Sequence, residues 1–138
     1  MKRRVGMIVV GHGTFAQGLL SPMRMLMGDI QDFCEIEFPV GMAEEELEAQ
    51  IILAAKKFEK HDEILILTDI EGGTPFKMAV KVAYENQYTV ITGVNLPLVL
   101  QLAMLLDTYD SANIEEILEK AREALKVISF KNVFETLH

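Results

Sequence analysis

The run Val5-Gly6-Met7-Ile8-Val9-Val10 breaks at Gly11-His12-Gly13, and Glu63-Ile64-Leu65-Ile66-Leu67-Thr68 ends the same way, in Asp69 and then Gly72-Gly73-Thr74-Pro75. Apolar runs of this length, rich in β-branched residues and closed by turn residues, read as strands buried on both faces. Each is followed by a segment of helical periodicity, so the chain alternates strand and helix and implies a mostly parallel sheet with right-handed crossovers. In such a sheet, ligands bind beyond the carboxyl ends of the strands. His12 and Asp69 both fall there.

A pass along the chain completes the pattern. Phe15 to Met27 has apolar residues at helical spacing, with Leu19, Leu20, Met23, Leu26 and Met27 on one face and Pro22 as a kink. Phe33 to Phe38 reads as the second strand. Ala43 to Lys60 opens with three glutamates and closes with lysines, which matches charge to the helix dipole. A helix after Asp69 is expected to take Thr74 as N-cap and Pro75 as its first residue, and to end near Tyr84. Tyr88 to Thr92 is a short strand. Asn95 or Leu96 precedes a helix opened by Pro97 and running to Leu106, apolar nearly all round and expected to be buried in a subunit interface. Asn113 to Leu125 is amphipathic, and Lys126 to Phe130 reads as a last edge strand. The expected fold class is α/β: one doubly wound, mostly parallel sheet with helices on both faces.

At 138 residues and 50% apolar content, the chain suits a single domain with a sizeable core. A net charge of −8 argues against nucleic acid or an anionic membrane surface as the main partner. No stretch approaches the about 20 apolar residues needed to span a bilayer, and the basic start Met1-Lys2-Arg3-Arg4 leads into strand 1 rather than a signal peptide. The single Cys34 excludes an internal disulfide and reads as a small hydrophobe in a reducing compartment. The expected location is the cytoplasm.

The chemistry converges on one edge of the sheet. A carboxylate can accept a hydrogen bond from one imidazole nitrogen, fixing the tautomer and leaving the other nitrogen free to attack. The Gly72-Gly73 turn lets backbone approach a ligand, and the helix behind it offers N–H groups to an anion, with the Thr74 hydroxyl beside them. Phosphoryl transfer needs positioning and charge stabilisation more than covalent machinery. Neither a Gly-x-x-x-x-Gly-Lys-[Ser/Thr] loop nor a Gly-x-Gly-x-x-Gly fingerprint occurs, so no cofactor is expected and the phosphoryl group should arrive from another protein. Glu71 is the one obvious third ligand beside His12 and Asp69, too little for a metal site. His61 and His138 are expected to be solvated.

With these residues in order, the chain resembles the enzyme IIA domain of the mannose family of the bacterial phosphoenolpyruvate-dependent sugar phosphotransferase system. The likeness rests on Gly11-His12-Gly13, the Leu-Leu helix reaching Met25 and Gly28, Asp69 followed by Gly72-Gly73-Thr74-Pro75-Phe76, and Gly93-Val94-Asn95-Leu96-Pro97. It implies that His12 accepts a phosphoryl group from the phosphocarrier HPr and passes it to a histidine of a IIB protein, serving a membrane IIC/IID permease indirectly. It also implies that Asp69 bonds Nδ1 and leaves Nε2 to carry the group, and that Gly13, Gly72, Gly73 and Thr74 line the phosphoryl pocket. A homodimer is implied too, in which the strand Val127 to Phe130 can be exchanged between subunits. Ile70-Glu71 departs from relatives that carry an aromatic residue in this loop. No IIB domain or linker follows, so a free-standing IIA protein is expected. The residues alone leave open a hydrolase using His12 as base, with Thr14 or Thr74 as nucleophile, and a regulatory module of the same fold. A phosphocarrier subunit serving dihydroxyacetone kinase shares the histidine strand, but is expected to lack the Gly72 to Phe76 stretch.

Overall fold

The computed structural model describes residues 4–105 and 113–131. Among them, four strands and five helices follow in the order β1 (Val5–His12), α1 (Phe15–Met27), β2 (Phe33–Phe38), α2 (Glu44–Lys57), β3 (Glu63–Thr68), α3 (Gly73–Asn86), β4 (Thr89–Thr92), α4 (Leu96–Met104) and α5 (Ile114–Glu123). The strands form one parallel sheet in the order β2-β1-β3-β4. From β1 the chain steps outward to β2, then crosses back to β3 on the other side, so the winding reverses between β1 and β3. The crevice at such a reversal is the binding position of doubly wound sheets.

Alternation along the strands divides the core between two faces, as the two-residue period of a strand requires. Val5, Met7 and Val9 of β1 pack with Leu65 and Leu67 of β3 beneath α1, α4 and α5. Ile8 and Val10 pack with Ile64 and Ile66 beneath α2 and α3. Gly6 is required by packing, since a Cβ there would lie 2.4 Å from the Phe58 ring.

Several elements differ from the sequence expectation for identifiable reasons. α1 runs through Pro22 and buries Ala16, Leu19, Leu20 and Met23, whereas Leu26 and Met27 of the expected face are 65% and 36% exposed. α3 begins at Gly73 with Gly72 as N-cap, two residues ahead of the predicted start, and Thr74 caps nothing. Pro75 is tolerated at the third helical position because first-turn N–H groups have no partner within the helix. α4 is capped by Asn95, whose side chain accepts a hydrogen bond from Leu98 N at 2.9 Å. It buries Leu98, Val99 and Leu102 and leaves Met104 exposed; Leu106, expected to end it, lies outside the described residues.

The expected strand at Lys126 to Phe130 is absent within the single chain: residues 126–129 carry no regular structure, and Val127 and Phe130 are exposed. A strand needs a neighbour's backbone groups, and the described sheet ends at β4. His61 is not solvated. Its side chain is 5% exposed, edge-on to Phe58 and 2.9 Å from Asp32 Oδ1 through Nε2. The loop before β3 folds back, with Asp62 N donating to Arg4 O and His61 N donating to Phe58 O, and so drives the imidazole inward. Burial pushes the Asp32 carboxyl up, but the His61 and Arg4 contacts outweigh it and hold it below the ordinary carboxylate value. His138 lies outside the described residues.

Candidate functional site

His12 is the last residue of β1, and Asp69 follows the last residue of β3, its neighbour in the sheet. The register pairs Val10 with Thr68, and β1 runs two residues further along β2, so His12 at its end comes within reach of Asp69, the first residue past β3. Asp69 Oδ2 lies 2.8 Å from His12 Nδ1 and also accepts the His12 backbone N–H at 2.9 Å. Its other oxygen, Oδ1, accepts the Ile70 N–H at 2.9 Å. A carboxylate held by three donors is fixed in orientation. Burial alone would raise its pKa, yet the hydrogen bonds from His12 and Ile70 prevail and hold it below the ordinary aspartate value.

The consequence for the imidazole is a defined tautomer. An ionised carboxylate only accepts, so the shared proton belongs to Nδ1 and Nε2 keeps its lone pair. The His12 side chain is 47% exposed, against 11% for Asp69. The imidazole is thus presented at the surface by a largely buried partner.

Gly73 stands against the Cε1–Nε2 side of the ring. A Cβ built on it would lie 3.0 Å from His12 Cε1 and 3.2 Å from Nε2, and its φ of +81° disfavours any side chain. Gly72 has φ +88° and precedes the first turn of α3. The pair brings the N-terminal end of a 14-residue helix to the edge of the imidazole, where free N–H groups and the helix dipole favour an anion. Shallow pockets open on both sides: one is bounded by Gly72, Gly73, Thr74, Phe76 and Lys77, the other by His12, Thr14, Phe15 and Leu19.

Sequence reasoning did not find Phe38. It is the last residue of β2, opposite His12 in the register, and its ring stands edge-on to the imidazole at 6.1 Å and 71°. Gly13 N donates to Phe38 O at 2.8 Å and Phe38 N donates to Gly13 O at 3.3 Å, so the Gly13 N–H is already engaged. The available signal was the shared position of His12 and Phe38 at the ends of strands 1 and 2. Glu71 is exposed, beside the exposed Ile70. No group of three or more His, Cys, Asp or Glu side chains suited to a metal ion occurs among the described residues, and none of their helices is long and apolar enough to cross a membrane.

Residues 6–122 match the family model for the mannose-type EIIA, described as "PTS system fructose IIA component". The chain belongs to this family. It is 32% identical over 132 residues to the mannose-specific EIIAB component of Escherichia coli K12, covering 91% of this chain and 40% of that protein. The chain therefore spans well under half the length of that relative. It is 30% identical over 102 residues to the fructose-specific EIIA component of Bacillus subtilis, covering 73% of this chain and 70% of the other. Among solved structures, it is similar to a PTS IIA protein associated with the fucose utilization operon of Streptococcus pneumoniae, at 26% identity and TM-score 0.84, covering 99% and 98% of the two chains. The mannose/sorbose-specific IIA subunit of Enterococcus faecalis, at 22% identity and TM-score 0.76, has the same fold. The chain is a mannose-family EIIA component of the sugar phosphotransferase system, and a single α/β unit like its structural relatives.

Proposed function

We propose that this EIIA component is a cytoplasmic phosphohistidine carrier, taking a phosphoryl group from HPr onto His12 Nε2 and passing it to a histidine of a IIB protein. The observation that carries the reading is the 2.8 Å contact between His12 Nδ1 and Asp69, which leaves Nε2 as the exposed nucleophile beside the start of α3. In the accepting step, the Nε2 lone pair forms a new N–P bond while the N–P bond of the donor imidazole breaks and the donor nitrogen keeps the electron pair. Phosphorylated at Nε2 and protonated at Nδ1, the His12 ring is a cation. The Asp69 carboxylate opposes that charge at 2.8 Å, so the proton has no need to move. The donating step is the reverse, with the IIB imidazole as nucleophile.

The phosphoryl oxygens fall to the N–H groups of Gly72, Gly73 and Thr74 and to the Thr74 hydroxyl, at the positive end of α3. Gly13 would contribute shape rather than a donor, because its N–H is taken by Phe38. A homodimer is part of the proposal. The open edge of β4 borders a groove lined by Thr89, Ile91, Asn95, Leu98, Leu118 and Arg122, and the exposed Val127, Ile128 and Phe130 supply an apolar segment of strand length.

Intact mass after incubation with phosphoenolpyruvate, enzyme I and HPr tests the carrier role. An acid-labile, base-stable gain of one phosphoryl group in wild type and none in His12→Ala is expected. No gain in wild type with active HPr overturns the reading.

A further inference from the structure

One aromatic side chain touches the reacting imidazole, and the phosphoryl relay as described gives it no task. Phe38 is bound to the His12 segment three times over: by register at the ends of β2 and β1, by two backbone hydrogen bonds with Gly13 and by the edge-on contact of the two rings. Pro39 follows it and biases Phe38 toward extended backbone. That conformation lets a strand-end residue face Gly13 in an isolated antiparallel bridge after a run of parallel pairing. The ring also rests on the core beneath α2 and α3, so its own position is set by packing.

A single hydrogen bond at Nδ1 does not by itself fix an imidazole. The torsion about Cβ–Cγ of histidine is broad, and the side chain is nearly half exposed, so the ring can tilt about its bond to Asp69. On one side, Gly73 leaves room beside Cε1 and Nε2 for an incoming group. Phe38 provides a wall from the β2 strand end. We propose that Phe38 is a positioning residue for phosphoryl transfer, its ring edge holding the His12 imidazole at the tilt that aims Nε2 along the line of attack. The inference rests on the carrier reading of His12. In-line transfer is sensitive to small misplacements of the nucleophile, so losing the wall slows the chemical step and leaves carrier docking intact.

The test compares wild type with Phe38→Ala, Phe38→Leu and Phe38→Tyr in single-turnover transfer from phosphorylated HPr, at several HPr concentrations. Alongside it, carbon relaxation of the His12 ring is measured in the unphosphorylated proteins. Phe38→Ala is expected to lower the limiting transfer rate roughly tenfold, with the half-saturating HPr concentration unchanged, and to increase His12 ring motion. Phe38→Tyr, which keeps the aromatic edge, restores both. Phe38→Leu fills the core without that edge, and is expected to melt near wild type while remaining slow. Should Phe38→Ala not fold, the Leu and Tyr variants carry the comparison. Wild-type rate and ring motion in Phe38→Leu would overturn the proposal, as would a defect confined to the half-saturating HPr concentration, which would make Phe38 a docking contact. If wild type itself takes up no phosphoryl group, the carrier reading fails on its own, and the ring-motion comparison still decides whether Phe38 orders His12.

Discussion

At His12, one carboxylate does two things: it anchors the backbone N–H where the chain leaves the sheet, and it sets the ring tautomer. Asp69→Asn keeps the shape of the partner but can donate as well as accept, which lets the amide stabilise the other tautomer. The expected outcome is transfer slowed roughly 10²-fold with phosphorylation still detectable at long times, measured by rapid quench. The pH dependence has a definite sign. The folded-state pKa of Asp69 is depressed below the ordinary value of 3.8, so its contribution to stability is present above that value and is lost as pH falls through the folded pKa. Denaturation followed between neutral pH and pH 3 should therefore show a shallower acid decline in Asp69→Asn than in wild type. The pairing of His12 with Asp69 was legible because both residues end apolar runs that must lie side by side in a buried sheet. The contact with Phe38 was not, since it depends on the register between β1 and β2, which neither run reveals alone.

Among the elements, the helix starts decide what the site can hold. The Thr74-Pro75 pair resembles an N-cap followed by a first-position proline, yet α3 begins earlier, because the positive φ of Gly72 and Gly73 lets the backbone turn before Thr74 is reached. The helix end thereby reaches the imidazole. α4 follows its sequence signal closely: Asn95 caps it through Leu98 N, and the same side chain donates to Ala121 O at 3.2 Å, tying α4 to α5. Asn95→Ala removes both bonds and should cost about 1 kcal/mol or more of folding stability, read as a lower urea midpoint at an unchanged slope. His61 was misjudged from its polar neighbours Lys60 and Asp62, since a loop that folds back on itself leaves no periodicity to read.

For the whole molecule, the reversal of winding between β1 and β3 puts the His12–Asp69 pair in the crevice, and the alternation of strands and helices made that architecture readable from the sequence. The segment Lys126 to Phe130 was not readable in the same way. Its apolar residues have strand character, but no described strand includes them, so composition alone could not place the segment in a sheet. If those residues and the groove beside β4 meet across a dimer, sedimentation equilibrium should give twice the 15.5 kDa chain mass. Val127→Asp with Phe130→Asp should then yield a folded monomer, since both side chains are exposed in the single chain. A wild-type monomer at micromolar concentration would contradict the dimer.

In the proposed carrier, the phosphoryl group resides on the Nε2 nitrogen of His12, opposite the nitrogen bound by Asp69. The most direct measurement is phosphorus–nitrogen coupling in the ¹⁵N-histidine-labelled, phosphorylated protein. A phosphorus signal coupled to His12 Nε2, with Nδ1 still protonated, is the predicted result. Coupling to Nδ1, or phosphorus on any other residue, would contradict the account.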